Sequence, residues 1–310
     1  MVIKNKRVKP TTTINPKSPT LRGHALASFT AFFWGITFIC TKHLGLYFSS
    51  LEILFIRYLI AYALLWCMHP HALRPKSLKH EGLIFLCGIT GALVYQYLEN
   101  LSVHYTTAAS VSFICAITPI STALLAWLLL KERVKIRTWL GMVISLVGVF
   151  FICFGDAGAI ETGLAGDLIM LGGIWLWSIY SVLIKKVGDF GYAGLAVTRR
   201  IFFYALVFML PFMIKSFGTM PYEALLRLDV FPNLLFLGAI ASAICFSTWN
   251  RSVELLGATT TSLYLFAMPL ITLAAELIYT RALPGFFSLL GMGITLIGLG
   301  TSELSFKKRG

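Results

Sequence analysis

The chain has 310 residues, of which 57% are hydrophobic and only 13% charged. Globular domains carry about 25% charged residues, so a soluble core is excluded and most of the length must lie in lipid. The formal charge of +13 does not require nucleic acid, because the basic residues of membrane proteins gather in cytoplasmic loops.

Residues 1–23 are polar, basic and rich in Thr and Pro, which predicts a disordered tail. The apolar run after them is too long for the h-region of a signal peptide, and no small-x-small cleavage site follows. It is read as a first span. Apolarity over windows of ~19 residues then predicts spans at 24–42, 52–69, 82–101, 107–130, 138–155, 164–184, 194–214, 233–253, 259–280 and 285–303. The runs are continuous rather than alternating, so no barrel is expected. Only the 70–80 and 215–232 connections are longer, and neither can hold a domain.

The fourth span carries no charge from Ala108 to Leu130 and has Pro119 near its middle. The ninth repeats it, from Ala258, with Pro269 in the matching place. In a soluble helix a central proline costs about 3 kcal/mol. In a membrane helix neighbours or water can satisfy the freed carbonyl, so the two prolines predict bends.

Lys and Arg set the expected orientation. With the N-terminus inside, the inner segments hold Arg7, Arg22, Lys79, Arg133, Lys186 and Lys308 among others. The outer segments hold only Lys42, Lys215, Arg227 and Arg281. Ten crossings with both termini cytoplasmic satisfy this bias.

The repeat extends beyond the prolines. An offset of 150 pairs Asn100 with Asn250, Ser112 with Ser262, Gly141 with Gly291, and Gly148 with Gly298. An offset of 143 pairs Trp34 with Trp177, Lys42 with Lys185, and Arg57 with Arg200. The fold expected is all-α integral membrane: ten transmembrane helices as two inverted five-helix repeats, 24–155 and 164–303. An odd number of spans per repeat turns the second repeat upside down, a common plan among transporters.

The doubled stretch AASVSFICAITPISTALLAWLLLKERV and its echo at 258–281, with the Gly-rich fifth and tenth spans LGMVISLVGVFFICFG and LGMGITLIGLG, resembles the drug/metabolite transporter (DMT) superfamily, EamA type. The resemblance covers about 24–303. It implies a secondary transporter of small organic solutes (amino acids, metabolites or amphipathic drugs) across a bacterial cytoplasmic (inner) membrane, and an exporter by direction. A metabolite importer or exchanger is the alternative, and a membrane-embedded enzyme or non-transporting scaffold is the alternative from another class. The second copy has Ala282 where the first has Glu132.

Ionisable groups inside a membrane are costly and mark function. Arg57, Glu99 and Glu276 are predicted toward one face of the bilayer, with Arg200 toward the other, as coupling or gating groups. A static Arg–Glu pair or snorkelling side chains is the competing account. The middle of the membrane is expected to be lined by Trp34, Thr37, Tyr95, Gln96, Ser112, Trp177, Tyr180, Trp249, Asn250, Ser262 and Tyr264. Aromatic rings with a few amides and hydroxyls suit a partly apolar organic solute better than a bare ion. Trp175 and Ser181 are expected beside Trp177, and Thr118 beside Ser112.

Gly141, Ser145 and Gly148, with Gly291, Thr295 and Gly298, form small-residue stripes for close packing of helices inside the monomer, with a homodimer face as the alternative. The six cysteines fall in apolar runs without metal-ligand or disulfide spacing and read as small buried hydrophobes. No metal-protease, nucleophile-elbow, P-loop or EF-hand motif is found. No enzyme activity, cofactor or metal is expected. The expected partners are a small-molecule substrate and the lipid bilayer, with no nucleic acid.

Overall fold

The computed structural model describes residues 17–106, 108–156, 163–280 and 285–303, and side chains within 20–106, 110–156, 163–275 and 285–302. Among the described residues there is no β-strand. Nine helices are long and apolar enough to cross a bilayer, and a tenth apolar helix is shorter. We number them α1 (Lys17–Leu44), α2 (Ser50–Met68), α3 (Leu78–Tyr105), α4 (Ala108–Cys115 and Thr118–Leu130) and α5 (Ile136–Phe154). The second set is α6 (Leu164–Gly188), α7 (Gly194–Ser216), α8 (Phe231–Leu256), α9 (Ala258–Ser262 through Ala267–Thr280) and α10 (Phe286–Glu303).

Each predicted span coincides with a helix, with shifted ends. The helix of α1 begins at Lys17 rather than at 24, so the end of the predicted disordered tail is helical. The helix of α3 continues to Tyr105 and that of α6 to Gly188. Hydropathy reports where lipid ends, whereas a helix continues through polar residues such as His104 and Lys185 until its carbonyls are capped. The start of α2 is fixed by a capping box. Ser49 Oγ accepts from Glu52 N (3.4 Å) and Glu52 Oε2 accepts from Ser49 N (2.8 Å).

Both predicted bends are present as breaks. The helix of α4 stops at Cys115 and restarts at Thr118, one residue before Pro119. In α9 a 3₁₀ turn at Leu263–Phe266 precedes the helix containing Pro269. Ile117 and Ala267, one repeat apart, share φ −77° and ψ −19°. A second paired irregularity was not predicted. The helices α3 and α8 each widen into a π-helical stretch, Gly88–Tyr95 and Phe236–Ile244. Such stretches gather at functional sites.

The repeats are related by a pseudo-twofold axis, legible in the contacts. The helices α5 and α10 run antiparallel and bury the small-residue stripes against each other. A Cβ added to Gly148 would lie 2.7 Å from Gly291 O, and one added to Gly298 would lie 2.7 Å from Gly141 O. Ser145 Oγ donates to Thr295 O across the same seam (3.3 Å). The stripe is therefore consumed inside the chain. Elsewhere the repeats interlock: α1 packs on α8 and α9, and its twin α6 packs on α3 and α4. Thr272 Oγ1 donates to Gly35 O (2.7 Å), and the twin positions Thr122 and Ser178 are bonded at 3.1 Å. Neither repeat completes its core without the other.

Candidate functional site

A cavity of about 30 Å³ lies where the two repeats meet. It is lined by both members of three repeat pairs: Trp34 with Trp177, Cys115 with Leu265, and Thr118 with Met268. It thus straddles the pseudo-twofold axis. Thr37, Arg57, Tyr95, Gln96 and Glu99 complete the wall. The backbone breaks explain the placement. Cys115 and Thr118 flank the gap in α4, and Leu265 and Met268 flank the change from 3₁₀ to α-helix in α9.

Trp34 and Trp177 meet edge to face, with ring centroids 5.3 Å apart. Trp249 and Phe246 lie against both rings. Trp34 Nε1 donates to Ala241 O (2.9 Å), a carbonyl of the π-helical stretch in α8. Trp177 Nε1, its twin, is buried and has no acceptor.

Two charges face the cavity. Arg57 is 3% exposed. Its Nε donates to Ser242 Oγ across the repeat boundary (2.8 Å). Among the described residues it forms no ion pair. Glu99 sits on α3, where it accepts from Gln96 Nε2 (3.2 Å). Arg57 and Glu99 line the same cavity without forming an ion pair with each other.

Tyr180, Trp249 and Asn250, expected on the cavity wall, lie behind it instead. Tyr180 donates to Asn250 Oδ1, and Asn250 Nδ2 donates to Thr198 Oγ1 (3.0 Å), which ties α6, α8 and α7 together. The physical reason is broken symmetry. The repeat positions that hold Thr37, Gln96 and Glu99 on one side hold Tyr180, Phe246 and Trp249 on the other. Large rings fill the space that small polar groups leave open.

The two ends differ accordingly. Toward the end carrying the 45–49 loop, a cavity of about 140 Å³ lies beside Thr41, Ile53 and Asn100, one helical turn beyond Thr37, Arg57 and Gln96. Beyond it an opening of about 560 Å³ is bordered by Gly45, Tyr47, His104 and Tyr105. Asn100 Nδ2 donates to Ser50 O there (3.4 Å). Tyr47 donates to Asp229 (3.0 Å), and Arg227 holds the Asp229 carboxyl down to about 2. At the opposite end Arg200 pairs with Glu81 (2.7 Å), Tyr204 donates to the same carboxylate, and Arg199 caps the His69 and His71 carbonyls. His80 stacks on Phe190, with centroids 3.7 Å apart.

The remaining expected residues lie elsewhere. Arg200 joins this closed end, and Arg251 and Glu254 pair with each other. Ser112 is buried outside the wall without a partner for its hydroxyl. Ser262 bonds back to Thr259 O (2.8 Å), and Tyr264 bonds to His24 (2.7 Å). Trp175 is 44% exposed and faces away from the core. The Glu276 side chain lies outside the described residues. Among the described residues no group of three His, Cys, Asp or Glu side chains could hold a metal ion. Sequence reasoning missed Cys115, Leu265 and Met268. Their signal was proximity to the paired prolines, where helices break and backbones part.

Comparison with known proteins agrees with this architecture. A crystal structure of another protein superposes with a TM-score of 0.75, over 94% of this chain and 98% of that one. At 15% identity it shows a shared fold. An uncharacterized transporter of Archaeoglobus fulgidus is 27% identical over 286 residues, 89% of this chain and 95% of the relative. The uncharacterized transporter YdfC of Bacillus subtilis is 28% identical over 240 residues, 76% of each chain. A protein of Streptantibioticus cattleyicolor named "Probable terminal-alkyne amino-acid exporter" is 26% identical over 233 residues, 74% of this chain and 75% of the relative. The profile of the EamA-like transporter family matches twice, over residues 21–154 and 164–302, and the chain belongs to that family.

Proposed function

We propose that this protein is a secondary transporter that moves small organic solutes out across a cytoplasmic membrane by alternating access. The observation that carries the reading is the cavity on the pseudo-twofold axis, lined by both members of three repeat pairs. A site on the axis between two inverted halves can be exposed to either side by rocking one half on the other. The asymmetry of the two ends supports an outward-facing state: stepped cavities lie beyond the site at one end, and an aromatic plug of Tyr180, Phe246 and Trp249, with the Arg200–Glu81 pair across the repeats, lies at the other. The charge bias of the loops supports reading the stepped end as the outer face, with both termini in the cytoplasm. The exporter named among the relatives supports the direction.

The test is efflux from proteoliposomes loaded in turn with amino acids, amines and nucleosides. The reading predicts saturable efflux of one class, accelerated by the same solute outside. Loss of a solute at the rate of protein-free vesicles for every class would refute it.

A further inference from the structure

Resting on the transporter reading, we infer that the central cavity binds a zwitterion, with its carboxylate on Arg57 and Trp177 Nε1 and its ammonium group on Glu99. An arginine stays ionised in proteins. A buried cation without an ion partner is costly, and the cost is relieved by an anion. Arg57 spends only Nε on Ser242, so the paired Nη groups remain to grip a carboxylate in the planar, two-pronged manner that guanidinium favours. The orphaned Trp177 indole N–H is a second buried donor on the same wall. Glu99 supplies the opposite charge from α3, oriented by Gln96. Elsewhere on the wall Trp34, Leu265 and Met268, beside Thr37, Cys115 and Thr118, offer an apolar side that fits a hydrophobic side chain.

One positive and one negative group in one cavity discriminate by what they leave unpaired. A simple amine would satisfy Glu99 and strand Arg57. A simple carboxylate would satisfy Arg57 and strand Glu99. Sites built on buried polar partners reject ligands that lack the matching group. At about 30 Å³ the cavity holds no more than a water or two, so binding requires it to widen. The flexible thioether of Met268 and the break in α4 permit that.

The experiment is isothermal titration, with tryptophan fluorescence as a second readout, of purified protein in detergent against L-phenylalanine, 3-phenylpropionate and 2-phenylethylamine. L-Phenylalanine is expected to bind at least ~10-fold tighter than either half-ligand, the selectivity a single charged partner commonly supplies. Arg57→Gln should weaken L-phenylalanine and 3-phenylpropionate while leaving the amine unchanged. Glu99→Gln should weaken L-phenylalanine and the amine alone. Equal binding of all three, or undiminished L-phenylalanine binding by folded Arg57→Gln protein, would overturn the assignment and leave the two charges serving each other. If a variant fails to fold, the three-ligand comparison on the wild-type protein decides. Efflux of another solute class with no zwitterion binding would sink this inference and leave the transporter reading standing. Absence of both binding and efflux would remove both.

Discussion

At the residue scale, the paired tryptophans illustrate how twins come to differ. Trp34 donates to Ala241 O, whereas Trp177 has no acceptor. Replacing Trp34 by Phe therefore removes a buried hydrogen bond and is expected to destabilise the protein by about 1–2 kcal/mol. Trp177→Phe has no bond to lose and should cost less. Thermal denaturation of both variants in detergent checks the order, and equal losses would contradict it. Truncation of either ring to Ala removes a cavity wall and is expected to change efflux by at least tenfold while the protein still folds. Wild-type kinetics in both would exclude them from the site. Asp229 permits a pH prediction. Arg227 holds its carboxyl down to about 2, from an ordinary value of 3.8. Its contribution is complete above the ordinary carboxylate range and disappears only as pH falls through about 2. Asp229 itself therefore stays ionised between pH 5 and 8, and any change that Asp229→Asn makes to the transport profile there is expected to act through His43, whose Nε2 lies 3.4 Å from the carboxylate; an unchanged profile in a His43→Gln background checks this.

At the scale of the helices, the prolines and glycines govern. Pro119 and Pro269 were legible in sequence because a doubled proline in a membrane span has few other uses, and both sit just after a break. The π-helical stretches were not legible, because a widened turn is a property of packing. Gly91 lies so close to Tyr180 that a Cβ would fall 2.3 Å from its ring, and no spacing in the chain announces that. Arg57, Glu99, Trp34 and Trp177 stood out against apolar runs and do meet at one cavity. Tyr180 and Asn250 looked equally good but bond to each other instead, since sequence repeats give symmetry while a single conformation breaks it. Pro119→Ala should let α4 close its missing helical bonds, raising thermal stability and slowing efflux; an unchanged rate would show the break to be incidental. Gly148→Ala would place a methyl 2.5 Å from Thr295 N and 2.7 Å from Gly291 O. Backbone cannot yield as a side chain can, so a loss of about 1–3 kcal/mol is expected from overpacking, read as a lower unfolding midpoint.

At the scale of the whole molecule, two five-helix repeats bury their seams in each other and leave one cavity on the axis between them. The proposed alternating access requires a second arrangement of these interlocked repeats, in which the aromatic plug opens and the stepped cavities close. Cys115 reports on this directly, because it lines the cavity and is 6% exposed. The decisive measurement is labelling of Cys115, in protein whose other five cysteines are replaced, by a membrane-impermeant thiol reagent applied to one side of proteoliposomes at a time. Alternating access predicts modification from both sides, with a ratio that shifts when a transported solute is added. Modification from one side alone, unaltered by any solute, would contradict it.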